Sequence, residues 1–403
     1  MTEPILTPSP SVSTDAGRRG SSVFIVAGEE SGDLHAADLV RELLRLDPGL
    51  AVAALGGRRM AAAGARVLYP LVDELAVMGF LPVLAKLPKV GRILDETYSH
   101  LERIRPDALI LVDYPGFNLY LARYARRHGI PVLYYIVPQL WAWGHWRLGR
   151  VRRRVDRMLV IFPFEEEFYR SRGIDARFVG HPLMDQLARF RPDPEFDRRH
   201  GLGEADRVFG LLPGSRSHEI AGVLPVELAA ARRILAEIPG ARFFLGLAKE
   251  KHRPLVETLL AAGGVSATVL AGGAREIMSR SEVCLVTSGT ATVETAWFGT
   301  PLVILYRIGR FARLVARSPF GIKTRHIGMV NILAGREVAP EFLMVGDESE
   351  RVARAALALA RGGPGRASCL EGLAEVRRRL DKPDASRRAA EEVLAFLAER
   401  AGR

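Results

Sequence analysis

A chain of 403 residues, 48% of them hydrophobic, is long enough to bury two or three separate cores. A net charge of +11 points to an anionic partner, which could be nucleic acid, a phosphorylated metabolite or an acidic membrane surface, although arginine abundance everywhere accounts for part of it. Two cysteines exclude a disulfide scaffold and fit a reducing compartment, and no run of eighteen apolar residues is available to span a bilayer.

Residues 1–21 are polar, carry Pro and Ser, and lack an apolar h-region; they are expected to be a disordered tail rather than a secretion signal. Val23–Val26 then form a short apolar strand that meets Ala27-Gly28-Glu29-Glu30-Ser31-Gly32-Asp33 and the helical pattern LHAADLVRELLRL. Strand, glycine turn and helix usually cradle a phosphate on backbone N–H groups, yet this turn carries three carboxylates. AVAALGG and the helix RRMAAAG follow.

Residues 75–92, LAVMGFLPVLAKLPKVGR, make a poor core helix because Pro82 and Pro88 interrupt them. Val77, Met78, Phe80, Leu81, Val83 and Leu84, with Lys86 and Lys89, read instead as a segment dipping into an anionic membrane surface. The alternative is a packed loop over the first sheet. A second stretch, 307–325, mixes Phe311, Leu314, Val315 and Phe320 with six cations.

DALILVDYPG ends a buried strand on Asp113, either a general base or the cap of the next helix, a role Asn118 could fill. PVLYYIVP leads to WAWGHW, Trp141 to Trp146, with three of the four tryptophans. That cluster is an aromatic platform for a sugar or base, or a core corner. RLGRVRRRVDR then packs six arginines into eleven residues, a solvated face, a contact to a substrate phosphate, or an attraction to acidic headgroups.

RMLVIFP, FEEEFYRSRG and RFVG complete a first strand–helix series, and RFRPDPEFDRR separates it from a second. The second series runs RVFGLLPGSR, a helix from about Pro225 to Glu237, ARFFLGLA, ATVLAG, EVCLVTSG, TATVETAWFG and PLVILYRIG. Continuous apolar strands alternating with amphipathic helices predict parallel sheets covered on both faces. The expected division is a first domain over 22–190, a linker over 191–204, a second domain over 205–365 and C-terminal helices over 366–403. The last helix is capped near Asp384, and the C-terminal helices over 366–403 are expected to pack back toward the first domain.

Two loops of the second series suit a nucleotide. Gly214 and Ser215 allow close backbone approach, and Arg216 can fork onto phosphate oxygens. Ser288-Gly289-Thr290 opens a helix, as a cap or as a pyrophosphate site, with Glu294 one turn in to accept ribose hydroxyls. No Asp-x-Asp and no zinc spacing occur, so a diphosphate here would be met by arginines and helix dipoles.

AGEESGD, ELAVMGF, VDYPGFN, VPQLWAWG, LPGSR with Glu219, SGTATVETA and NILAGREVAPE, ordered from about Val23 to about Met344, resemble the lipid-A-disaccharide synthase family. The resemblance implies an α/β GT-B fold, two doubly wound Rossmann-like domains facing each other across a cleft. It implies inverting transfer, without metal or cofactor, from UDP-2,3-diacylglucosamine to 2,3-diacylglucosamine 1-phosphate, giving a β-1,6 disaccharide 1-phosphate. On that reading Asp113 is the base and Arg216 meets the leaving pyrophosphate. Gly214, Ser215, Arg216, Glu219, Ser288, Gly289, Thr290, Glu294 and Asn331 hold the donor. Gly28, Glu29, Ser31, Gly32, Asp33, Asn118 and Trp141 face the acceptor. The chain departs from the family pattern at Gly116, where many members carry Asp, at Val137 and at Met344. A cytoplasmic protein on the inner face of the inner membrane is expected, since acylated substrates reside there. A nucleotide-sugar epimerase is the nearest other reading. Against a nucleic-acid binder, the aromatics of this chain are not interleaved with its arginines and no groove-reading helix motif occurs; against an NAD enzyme, no G-x-G-x-x-G follows the first strand.

Overall fold

The computed structural model describes residues 20–72, 83–142, 144–309 and 324–402, the side chains of 83–87 excepted. The chain divides into two compact units: Met1–Asp185 with Lys382–Arg403, and Gln186–Asp381. In the first, β1 (Ser22–Ala27), α1 (Glu30–Leu46), β2 (Ala51–Leu55), α2 (Arg58–Ala62) and β3 (Arg66–Tyr69) come first. Then follow α3 (Val83–Ile104), β4 (Ala108–Val112), α4 (Pro115–Arg127), β5 (Val132–Tyr135), α5 (Leu148–Arg154), β6 (Arg157–Val160), α6 (Pro163–Arg170) and β7 (Ala176–Phe178).

The strands line up as β3-β2-β1-β4-β5-β6-β7, with every pairing parallel. β4 is buried at every residue and β1 at all but its first, so neither shows polar alternation; helices cover both faces. The strand order reverses between β1 and β4, and register pairs Ala27 with Val112. Gly28 and Asp113 therefore leave the sheet side by side at its carboxyl edge, where open α/β sheets hold ligands.

The chain passes into the second unit within α7 (Pro182–Arg189). α8 (Phe196–Arg199), β8 (Arg207–Leu212), α9 (Ser217–Glu237), β9 (Ala241–Leu247), α10 (Arg253–Gly263), β10 (Ala267–Ala271), α11 (Ala274–Arg280) and β11 (Val283–Thr287) follow. α12 (Thr290–Trp297), β12 (Leu302–Arg307), α13 (Met329–Ala334), β13 (Glu341–Met344), α14 (Ser349–Ala360) and α15 (Pro364–Leu380) complete it. Its parallel sheet runs β10-β9-β8-β11-β12-β13, with the reversal between β8 and β11. Val286 pairs with Leu212, so the loops after these two strands also emerge together. The stretch 191–204 lies within this unit, where Phe196 of α8 packs on Phe244 of β9.

Two prolines do not break helices as expected. Pro88 sits inside α3 and Pro225 inside α9, which begins eight residues earlier than its expected start. An interior proline costs about 3 kcal/mol. α9 buries Ile220, Val223, Leu224, Val226, Leu228 and Ile234, each contributing roughly 1.5–3 kcal/mol, so burial outweighs the proline. Residues 75–82 of the proposed membrane segment and residues 310–323 of the second basic stretch lie outside the described residues. Val83, Leu84 and Lys86 begin α3, and Lys89 is half-buried.

Of the C-terminal helices expected to pack on the first domain, only the last, α16 (Ala385–Ala401), returns to the first unit, where it packs on α1; α15 stays in the second unit against α12, α13 and α14. Asp384 does not cap it with its side chain; the carboxylate of Asp185 does, accepting the N–H of Asp384 and of Ala385 at 2.9 Å each. Among the described residues no helix is long and apolar enough to cross a membrane.

Candidate active site

At the reversal in the first unit, Asp113 and Tyr114 sit in succession in the left-handed region, at φ 48° and 45°. Such backbone is strained for side-chain-bearing residues and persists only when its surroundings over-determine it. Here they do. The Asn118 amide nitrogen donates to the carbonyls of Val112 (3.2 Å) and Asp113 (2.7 Å), and the Tyr134 hydroxyl donates to Asp113 O at 2.7 Å. The strain turns the Asp113 carboxyl into a partly buried position beside Glu29. Burial, and then the Glu29 charge, push it up to about 6, against the opposing backbone N–H of Tyr114.

The turn after β1 is shaped by Tyr114. A Cβ on Gly28 would fall 2.3 Å from Cδ1 of the Tyr114 ring, so only glycine fits beneath it. Glu29 and Ser31 are exposed and Gly32 is buried. Asp33 turns inward. Its carboxylate accepts the N–H groups of Gly57 (2.8 Å), Arg59 (3.2 Å) and Met60 (3.3 Å) and caps α2. It is therefore not available to a sugar. Asn118 is likewise fully buried and holds the strained backbone instead of facing a ligand.

Trp141 is a core residue, which corrects its reading as an aromatic platform. Its indole N–H donates to Glu165 Oε1 at 2.9 Å, and it meets Phe164 edge-on. Burial pushes the Glu165 carboxyl up to about 7, offset by its bonds from Trp141 and from the N–H groups of Phe162 and Ile161. Trp146, by contrast, is 54% exposed beside Arg147, and Trp143 lies outside the described residues.

In the second unit, Gly214 adopts φ 108°, and a Cβ there would lie 2.6 Å from Glu219 Oε2. That oxygen accepts the N–H groups of Ser215 (2.9 Å) and Arg216 (3.1 Å), so Glu219 occupies the cradle that its loop was expected to offer a phosphate. Burial raises the Glu219 carboxyl, but these donors and Arg216 outweigh it and hold it below the usual range. Arg216 reaches Glu219 Oε1 at 2.9 Å while remaining 68% exposed. The Glu219 side chain is only 12% exposed, so the pair is open to solvent on the arginine side, from which an arriving phosphate can reach the guanidinium.

Beside it, Ser288 is held within the fold, its hydroxyl donating to Ile327 O at 2.7 Å. Gly289 and Thr290 are exposed at the start of α12, which has no side-chain cap. Glu294 pairs with Arg275 at 3.1 Å, and burial raises its carboxyl against that cation. Asn331 is fully engaged. It donates to Ala339 O and Glu341, and accepts from Val338 and Ala339 N–H, which corrects its assignment as a direct ligand contact. The hub of this loop is Glu341, which also accepts from Ile327 and Gly328 and pairs with His326 at 2.9 Å. Neither Glu341 nor Tyr114 was picked out from the sequence. A lone acid opening an apolar strand, EFLM, was the available signal for the first.

Comparison with known proteins now bears on this geometry. The sequence pattern of the Lipid-A-disaccharide synthetase family matches residues 23–377. The lipid-A-disaccharide synthase of Myxococcus xanthus is 40% identical over 379 residues, covering 93% of this chain and 97% of that protein. Among solved structures, UDP-GlcNAc 2-epimerase from Neisseria meningitidis bound to UDP-GlcNAc superposes with TM-score 0.65 at 14% identity, over 93% of this chain and 100% of the other. The calicheamicin glycosyltransferase CalG4 gives TM-score 0.58 at 17% identity, over 95% and 100%. These two likenesses concern the fold: paired parallel-sheet α/β domains shared by GT-B glycosyltransferases and epimerases. The family match and the 40% identity go further, and the chain belongs to the lipid-A-disaccharide synthase family, glycosyltransferases of lipid A biosynthesis.

Proposed function

We propose that the protein joins UDP-2,3-diacylglucosamine to 2,3-diacylglucosamine 1-phosphate, giving the β-1,6 disaccharide 1-phosphate and UDP, with inversion and without a metal ion. The observation that carries this reading is the Asp113 carboxyl, pushed up to about 6 at the carboxyl edge of the first sheet. A base with that pKa is mostly ionised at pH 7 yet basic enough to take a proton as a hydroxyl oxygen becomes nucleophilic. Asp113 removes the proton of the acceptor's 6-hydroxyl, and the oxygen's electron pair forms the bond to C1 of the donor. The bond from C1 to the β-phosphate oxygen breaks, with its pair leaving on UDP. A single displacement of this kind inverts the anomeric centre.

Arg216, paired with Glu219 and open to solvent, meets the charge that develops on the leaving pyrophosphate, with the exposed Gly289-Thr290 start of α12 beside it. Gly214, Ser215, Ser288 and Glu219 shape those loops, and Glu294 takes the ribose. Gly28, Glu29, Ser31 and Gly32 form the wall facing the acceptor. UDP-GlcNAc in the Neisseria structure supports a UDP-sugar as donor. The protein works in the cytoplasm against the inner face of the inner membrane, held by segment 75–92 and its lysines. Flotation with acidic vesicles at low salt tests this attachment, and a protein left in the soluble fraction refutes it.

The reaction is tested by incubating the two acylated substrates with the protein in excess EDTA. Disaccharide and UDP are expected. Product formation that stops until metal is restored refutes metal independence. Epimerised UDP-GlcNAc with no disaccharide moves the chain to the epimerase reading.

A further inference from the structure

The arginine run after the tryptophan motif folds into more than a solvated face. Arg147, Arg150 and Arg154, from the segment 145–154, and Arg123, from α4, line one cavity of about 530 Å³ in the first unit, with Tyr120 and Gly116 on its wall. That volume falls in the range of small-molecule sites. Among the described residues no carboxylate lines it. Arg154 is fixed by donation to Leu119 O at 3.1 Å. Burial first, and then Arg123, Arg150, Arg153 and Arg127, hold its guanidinium below the usual arginine range. Several like charges gathered in a concave site are costly unless an anion neutralises them, and guanidinium forks match phosphate oxygens. The cavity wall begins at Pro115 and Gly116, the residues that follow Asp113 and Tyr114 in the chain.

We propose that this cavity binds a phosphomonoester, and that its source is the 1-phosphate of the acceptor sugar. The assignment rests on the reaction proposed above. A base and an anion cavity separated by a few residues of one turn suit a molecule whose reacting hydroxyl and phosphate stand on one sugar ring. The same chemistry could be met by a bilayer headgroup, so the test separates the two.

Wild type and Arg123→Ala/Arg150→Ala are assayed with 2,3-diacylglucosamine 1-phosphate and with its dephosphorylated 1-hydroxyl counterpart. Arg126→Ala serves as the charge control, since that guanidinium pairs with Asp156 and does not line the cavity. Wild type is expected to prefer the phosphorylated acceptor in kcat/KM, and the double variant to lose roughly 10-fold or more of that preference. Arg126→Ala keeps it. A double variant with the wild-type preference overturns the assignment. If that variant instead detaches from phosphatidylglycerol vesicles while keeping the preference, the cavity reads headgroups and the acceptor assignment is wrong. Calorimetric titration with glucosamine 1-phosphate needs no donor and no turnover, so it reads the cavity even if the transfer reaction fails. Binding by wild type and its loss in the double variant support the cavity, whereas no heat with wild type overturns it.

Discussion

Asp113→Asn should make the protein more stable and nearly inactive at once. In the fold the carboxyl has moved from 3.8 to about 6, so the native state favours its protonated form. That displacement corresponds to about 3 kcal/mol of strain on the ionised protein. The sign follows from linkage: the strain is absent below pH 4, grows as pH rises, and is complete above about pH 6. Asparagine is neutral throughout and tolerates the left-handed backbone that position 113 requires. The variant should therefore gain about 3 kcal/mol at pH 8 and about half of that at pH 5. For a domain of this size the gain at pH 8 amounts to a rise of roughly 6–12 °C in the Tm of the first unit. Turnover should fall ~10²–10⁴-fold, the contribution of a general base. Scanning calorimetry at the two pH values and product formation at pH 8 read both halves. A stability gain independent of pH, a loss of stability, or near wild-type turnover would each refute the reasoning.

Glu29→Gln removes the second cause of the raised Asp113 pKa, so the acid limb of the kcat/KM profile should move to lower pH while staying above an ordinary Asp, because burial remains; an unmoved limb counts against Asp113 as the base. Gly28→Ala should cost roughly 1–3 kcal/mol by driving a methyl into the Tyr114 ring, and Tyr114→Ala in the same chain should recover most of it in denaturant melts. Trp141→Phe leaves Glu165 without its indole donor and should lower stability by about 1–3 kcal/mol, while activity per folded molecule persists; an activity loss without destabilisation would return Trp141 to the acceptor wall.

The strands β1, β4, β8 and β11 were legible because burial on both faces leaves uninterrupted apolar runs. The loops that follow them stood out as glycine-rich breaks. What those loops do with their polar groups was less legible. Asp33 and Glu219 both look like ligand contacts in a linear motif. The partners of Asp33, Gly57 to Met60, are more than twenty residues away and depend on chain reversals that only the folded backbone sets, whereas Glu219 folds back on the Ser215 and Arg216 amides four and three residues before it, a local capping box at the start of α9. Asn331 and Trp141 misled for the same reason, since a buried amide or indole with every donor and acceptor matched reads like an active-site residue in sequence. Pro88 and Pro225 misled in the other direction. Local rules break a helix at proline, and the apolar surface that overrules them is gathered from strands far away in the chain.

The return of α16 to the first unit has a consequence for the order in which the molecule can be made. Everything from Gln186 to Asp381 is interposed in the sequence of that unit, so the second unit has all its residues while the first still lacks its last helix. The missing helix leaves a charge exposed to error. Arg157, on β6, has a side chain only 7% exposed in the finished fold, with Asp175 at 2.8 Å, Glu392 at 3.5 Å and Glu399 at 3.0 Å. Two of those three carboxylates arrive with α16, as does Phe396, which covers the guanidinium. During synthesis the domain that begins first is thus the one completed last, and a chain cut off before residue 385 would carry every residue of the second unit while the first keeps only one of the three carboxylates around Arg157.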